Sequence, residues 1–166
     1  MIIPLNPDDM TGSNDLSIAL VKLNNDHAVE LSFADPARLA GLVGSAFYAK
    51  RVGDAAAMLI AFDQTADYLS PNFLWFHDRY ARFVYVDRVV TSAAARGRGL
   101  ARSLYLDLFE HARAAGHERI VCEVNSDPPN PASEAFHRSF GFRTVGEALL
   151  ENGKKVSYLE LTLANG

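Results

Sequence analysis

The sequence predicts a mixed α/β domain, and three observations carry that prediction. Apolar residues run or alternate over short stretches at 47–52, 55–62, 83–91 and 119–124, as strands do, and recur at helical spacing over 15–44 and 99–116. The order along the chain is β, α, α, β, β, short α, β, α, β, α, β, β, which contains strand–loop–helix–strand units of the kind that place strands in parallel. Hydrophobic residues make up 49% of the 166 residues, enough for a substantial core, and no repeat, low-complexity tract or linker divides the chain. Residues 1–166 are therefore read as a single domain.

Residues 2–5 form a short first strand, and Asn6-Pro7-Asp8-Asp9 opens a turn. Leu16, Ala19, Leu20 and Leu23, then Leu39, Leu42 and Val43, mark two or more helices between Asp15 and Gly44. They are interrupted at Asp35-Pro36, which suits an N-cap followed by proline in the first helical position. Phe47–Val52 and Ala55–Phe62 read as a hairpin around Gly53-Asp54, with a loop from 63 to 72 after it. The aromatic segment Asn72–Tyr80 is a short helix, and Phe83–Thr91 is a strand. From Gly99 onward Leu100, Leu104 and Leu108 form an apolar stripe that Ala101, Tyr105 and Phe109 widen, and Gly116 ends that helix. Arg119–Val124 is a strand. Asn130-Pro131 starts a helix with Phe136 and Phe140 on one face, stopped by Gly141, and residues 142–149 and 155–163 pair around Asn152-Gly153.

Charge and composition exclude several classes. Twenty acidic residues against 16 basic ones give a net charge of -4, the wrong sign for sequence-independent binding to nucleic acid. Cys122 is the sole cysteine, so no internal disulfide forms, and its apolar surroundings predict an inert buried thiol in a reducing, cytoplasmic setting. The N-terminal stretch lacks a basic region followed by a long apolar run, and no segment has the roughly 18 consecutive apolar residues of a membrane span. Neither export nor membrane insertion is expected. His27, His77, His111 and His117 show no metal-ligand spacing, and no metal is predicted.

Chemistry concentrates in two motifs. Arg96-Gly97-Arg98-Gly99-Leu100-Ala101, followed by Arg102, joins the 83–91 strand to a helix. Glycines there let the backbone turn and bring the amides of residues 97 to 102 close to an anion, and the helix N-terminus adds its dipole. Glycines also serve simply as turn residues. The chain lacks the Lys-Ser/Thr of a nucleoside triphosphate loop, and Arg102 stands where a dinucleotide fingerprint has its third glycine. The second motif runs from Asn130 to Phe142; by local rules alone Asn130 caps a helix, Phe136 and Phe140 are core, and Gly141 is a C-cap.

Together the two motifs resemble the signatures of the GNAT superfamily of N-acetyltransferases: Arg-x-x-Gly-x-Ala after a strand, then Asn-x-x-Ala-x-x-Phe/Leu-Tyr-x-x-x-Gly-Phe. Ser133 takes the small position of the second and His137 the place of its tyrosine, and the likeness covers about Phe83 to Phe142. The resemblance implies a twisted mixed sheet with helices on both faces and acetyl-CoA as acyl donor. It also implies direct attack by an amine on the thioester while both substrates are bound. Backbone groups of Val89, Val90 and Thr91 would pair with the pantetheine arm, and the 119–124 strand would splay away to open the slot. Arg96, Gly97, Arg98, Gly99, Leu100, Ala101 and Arg102 would hold the pyrophosphate, and Asn130 and Ser133 would face the arm from across.

Catalytic roles follow on the same footing. His137 is either the acid that protonates the departing thiolate or a solvent-facing helix residue. Asp87 and Glu123 are the candidate bases; the competing reading pairs Asp87 with Arg88 or Arg119, and Glu123 with a neighbouring arginine. Strand alternation places Asp87 on one face with Tyr85 and Val89. The acceptor side falls to Leu23-Asn24-Asn25-Asp26-His27 and to Tyr68–Tyr80, with Asn24, Asn25, Trp75 and Tyr85 as contacts, or else these segments are a loop and a packed lid. A small-molecule amine is the expected acceptor, because little chain is left to build a docking surface. The rival readings are an acyl-CoA-binding module without catalysis and an enzyme acting on protein N-termini or lysines. The closing strands leave an edge through which a homodimer would form.

Overall fold

The computed structural model describes residues 1–26 and 35–164; His27, expected on the acceptor side, lies outside them. The elements are β1 (Ile2–Pro4), α1 (Asp8–Thr11), α2 (Asp15–Asn25), α3 (Pro36–Ser45), β2 (Tyr48–Val52), β3 (Ala57–Asp63), α4 (Pro71–His77), β4 (Val84–Thr91), α5 (Leu100–Ala114), β5 (Arg119–Asp127), α6 (Pro131–Phe140), β6 (Arg143–Leu149) and β7 (Lys155–Thr162). Helix starts follow local chemistry. Asn14 accepts from the Ser17 amide at 2.9 Å, and Asp35 from the Arg38 amide at 2.8 Å with Pro36 in the first turn. The turn expected after β1 closes into the single turn of α1. β5 runs to Asp127, beyond the expected end at Val124, because β7 pairs with it as far as Asp127↔Lys155.

Among the described residues the sheet has seven strands, in the order β1-β2-β3-β4-β5-β7-β6. All pairs are antiparallel except β4–β5, the parallel pair that α5 connects. One face carries α1–α4 over Met58, Ile60, Phe62, Tyr85, Val121 and Tyr158. The other carries α5 and α6 over Leu59, Ala61, Val84, Ile120 and Leu159. β3 lies between these two cores, which is why its sequence is apolar without alternation.

Two irregularities shape the site. Only Val84↔Ile120 and Tyr85↔Val121 pair β4 with β5, and beyond them the strands part. On its other edge β4 stays paired with β3, but the register jumps from Ala61↔Val86 to Ile60↔Arg88, so Asp87 is the extra residue of a β-bulge. The bulge corrects the alternation expected from sequence. Asp87 lies on the Tyr85 side, but Val89 packs into the α5–α6 core and Val90 into the α1–α4 core.

Candidate active site

Where β4 and β5 part, they leave a cleft of about 310 Å³. Val86–Thr91 of β4 form one wall and Cys122–Asn125 of β5 the other. Arg96 closes one end, and Tyr105 of α5 joins Asn130, Ser133 and His137 around α6. Nine residues singled out in the sequence thus meet here: Asp87, Val89, Val90, Thr91, Arg96, Glu123, Asn130, Ser133 and His137. Among the described residues, the β4 edge facing the cleft has no strand neighbour after Tyr85.

Gly97 to Arg102 follow Arg96, which lines the cleft, and run through the loop into the first turn of α5; none of the six lines the cleft itself. Gly97 and Gly99 adopt φ of 80° and 71°, a region that favours glycine, and nothing lies within 4 Å of where their Cβ atoms would stand. The first intrahelical bond of α5 runs from the Ser103 amide to the Gly99 carbonyl, so the amides of Leu100, Ala101 and Arg102 have no acceptor within the helix. Arg98 is exposed on this loop, whereas the Arg102 guanidinium lies over the Phe140 ring, 4.9 Å from its centroid. The result is an open array of amides at a helix N-terminus, suited to an anion.

Glu123 occupies the α1–α4 side of the cleft. Tyr85 donates its hydroxyl hydrogen to Glu123 Oε2 at 2.7 Å, and the Asn72 side chain also bonds to the carboxylate. Asn72 Oδ1 in turn accepts from the Tyr158 hydroxyl at 2.9 Å. Burial pushes the Glu123 carboxyl up to about 7, with the negative Asp87 adding to the effect and the bonds from Tyr85 and Asn72 opposing it. The arginine partner that sequence offered for it is absent among the described residues. Asp87 has its pair: Arg88 Nε lies 2.7 Å from its Oδ2, and Tyr68 donates to Oδ1 at 2.6 Å. Arg88 also donates to Asn24 Oδ1 at 2.7 Å, and Asn24 to Asn25 Oδ1 at 3.0 Å, which ties β4 to the end of α2.

His137 lies on the opposite face, only 4% exposed, which removes the solvent-facing reading. Its Nδ1 is 2.7 Å from the Ser133 carbonyl, which accepts only, so the ring hydrogen sits there. Nε2 therefore accepts from the Tyr105 hydroxyl, at 2.7 Å. Burial lowers the His137 pKa below its ordinary value and raises the Cys122 thiol far above its own.

Trp75 is set apart from the cleft. Tyr158 stacks on its ring at 4.3 Å, the Arg79 guanidinium lies 3.8 Å from its centroid, and its edge occupies the space that a Cβ on Gly146 would need. Tyr105, Cys122 and Asn72 went unnoticed as site residues. A tyrosine in a leucine stripe is a signal, since a buried hydroxyl needs a partner, but that partner, His137, comes from another helix. Among the described residues no group of three His, Cys, Asp or Glu is placed to hold a metal, and no helix is long and apolar enough to cross a membrane.

A mixed sheet whose parallel pair splits beside an open glycine loop and helix N-terminus has the architecture of the GNAT acetyltransferases. Residues 23–142 match the Acetyltransferase (GNAT) family, and the chain belongs to it. An N-acetyltransferase from Staphylococcus aureus Mu50 superposes with a TM-score of 0.67 at 17% identity, over 99% of this chain and 98% of that one. The structure of yncA from Salmonella typhimurium with its cofactor acetyl-CoA gives 0.67 at 19% identity, covering 99% and 94%. The ribosomal-protein-S18-alanine N-acetyltransferase from Escherichia coli gives 0.65 at 16%, also covering 99% and 94%. At these identities the likeness is one of fold. No curated protein matches the chain in sequence.

Proposed function

We propose that this chain is a cytoplasmic N-acetyltransferase that moves an acetyl group from acetyl-CoA to the primary amine of a small molecule, by direct attack with both substrates bound. The observation that carries this reading is the position of Glu123: a carboxyl with a pKa of about 7, beside a strand edge that is unpaired among the described residues and leads to an open anion cradle. The cradle fits the donor, because Gly97 and Gly99 leave room for close approach and the Leu100–Arg102 amides lack acceptors in the helix. Arg96, Gly97, Arg98, Gly99, Leu100, Ala101 and Arg102 hold the pyrophosphate in this reading. Val89, Val90 and Thr91 receive the pantetheine arm as an added strand, and Asn130 and Ser133 face it. Bound acetyl-CoA supplies an activated thioester carbonyl.

Glu123 takes the proton from the incoming amine, directly or through water. Asp87 assists through its charge while Arg88 holds it, and His137 serves the departing-thiol side. Asn25 lies toward the acceptor in this reading, while the buried Asn24 and Tyr85 act from behind it by holding Arg88 and Glu123; Trp75 supports that side by bracing Tyr158. The free edge of β6 is where a second copy would pair.

One observation favours a peptide N-terminus as the alternative acceptor. A base near 7 lies about one unit below an α-amine but more than three below a lysine side chain, so deprotonation costs about 1 kcal/mol for the first and over 4 for the second. A panel of small amines, peptide N-termini and lysine peptides, scored by CoA release, decides between them. Preferred turnover of a small amine supports the main reading, and preferred turnover of peptide N-termini supports the alternative. Binding of acetyl-CoA with no CoA release from any amine would leave an acyl-CoA-binding module, and no thermal shift with acetyl-CoA would overturn all three.

A further inference from the structure

We infer that Tyr105 gives the departing sulfur its hydrogen, and that His137 is the residue that positions Tyr105 and feeds it. The inference rests on the acetyltransferase reading above and adds a catalytic residue to it. On the α5–α6 side of the cleft the side chains with a hydrogen to give are Asn130, Ser133, Tyr105, His137 and Cys122, and the Asn130 amide donates hydrogen bonds but not protons. His137 has both ring nitrogens engaged, Nδ1 with the Ser133 carbonyl and Nε2 with Tyr105, each at 2.7 Å. It reaches a group in the cleft only through the phenol. The Cys122 thiol is held protonated by burial and is itself a weak donor. The Ser133 hydroxyl lies against His137 Nδ1, at 3.4 Å, close to the α6 backbone. Tyr105 is a buried residue that lines the floor of the cleft, and its ring is fixed by stacking on Phe140 and by edge contacts with Phe136 and His137.

The proton balance follows from the tautomer. In the resting state the phenol hydrogen points at His137 Nε2, so Tyr105 turns it toward sulfur only when Nε2 carries a hydrogen of its own. The N–C bond forms, the C–S bond breaks with its electron pair left on sulfur, Tyr105 passes its hydrogen to that sulfur, and imidazolium Nε2–H replaces it on Oη. His137 ends neutral, with its hydrogen on Nδ1, and regains its proton on Nε2 through the Tyr105 hydroxyl when water re-enters the cleft after the thiol leaves. The proton taken by Glu123 leaves separately, on the other face. Burial makes the imidazolium the scarcer form of His137 and the better acid toward a thiolate, whose ordinary pKa is near 8.5.

Tyr105→Phe keeps the ring and removes the hydroxyl. With acetyl-CoA its kcat should fall about 10- to 100-fold at unchanged KM, and an acetyl thioester of an acidic aryl thiol should recover most of the loss, which a purely structural role would not permit. A second readout needs no turnover. Titration of the CoA thiol in the complex, followed by thiolate absorbance, should give a pKa about one unit higher in Tyr105→Phe than in the wild type, the size expected for losing one hydrogen bond to a charged group. His137→Gln, whose amide hydrogen still reaches the phenol, should shift that thiol less than His137→Leu, and this pair replaces Tyr105→Phe if that variant does not fold. Wild-type kcat and an unmoved thiol pKa in Tyr105→Phe would overturn the inference. A wild type that releases no CoA with any amine, yet shows the thiol shift, would overturn the acetyltransferase reading and leave the Tyr105–sulfur contact standing.

Discussion

Glu123 shows how a single carboxyl is given its chemistry by position. In sequence it is one acidic residue in an apolar strand, equal in standing to Asp87; in the fold Asp87 is ion-paired with Arg88, and Glu123 is left with hydroxyl and amide partners. Glu123→Gln should lower kcat by about 100-fold or more at pH 8, with acetyl-CoA affinity unchanged by calorimetry. The wild-type kcat/KM should rise with pH toward about 7 as the carboxyl loses its proton, and fall above it as the His137 imidazolium that feeds Tyr105 is lost. Stability should move the opposite way. Glu123 binds its proton more tightly folded than unfolded, so its contribution is present below the ordinary glutamate range and is lost as pH rises from about 4.5 to about 7. At pH 8 Glu123→Gln should therefore unfold at higher denaturant than the wild type, by about 3 kcal/mol, and the gain should vanish near pH 4. Asp87→Asn should do the reverse, losing about 3 kcal/mol in the same assay, because it leaves the Arg88 guanidinium buried beside a neutral group.

At the scale of elements, the strands and helices were legible because their signals are local. Asp35-Pro36 announced α3, Asn130-Pro131 announced α6, and Gly99 and Gly116 bracket α5 with φ of 71° and 83°. The two features that make the cleft were not legible in residue patterns. The bulge at Asp87 is set by the register against β3, and a one-residue slip leaves no mark in β4's own composition. The parting of β4 and β5 entered only through resemblance, since it depends on where pairing stops between strands that a 15-residue helix separates. Tyr105 and His137 became one unit only when α5 and α6 were laid side by side. The glycine loop offers the element-scale test. Gly97→Val forces a β-branched residue to a φ of 80°, and should raise the acetyl-CoA KM about tenfold while changing kcat less than twofold.

For the molecule as a whole, the thinnest join in the sheet is the parallel one, where two residue pairs link β4 to β5. Cofactor that bridges the Leu100–Arg102 amides, β4 and α6 should stabilise the native state by about 2.7 kcal/mol at a hundredfold excess over Kd, seen as a rise of several degrees in Tm that Gly97→Val reduces. On the far side of the sheet, Trp75 fills the place of a Cβ at the β6 bulge, so Gly146→Ala should cost about 1–3 kcal/mol of stability and leave acetyl-CoA binding intact.

Between β4 and β5 the sheet is an open book: four strands form one page, three form the other, and Val84↔Ile120 with Tyr85↔Val121 are its spine. Pages bound at one end can change angle without breaking a ladder elsewhere. Amide hydrogen exchange should accordingly be slow at the spine and in β3, and faster along the inner margins, residues 87–91 and 123–125. A donor laid between the pages would slow those margins first, making the seam a direct gauge of occupancy.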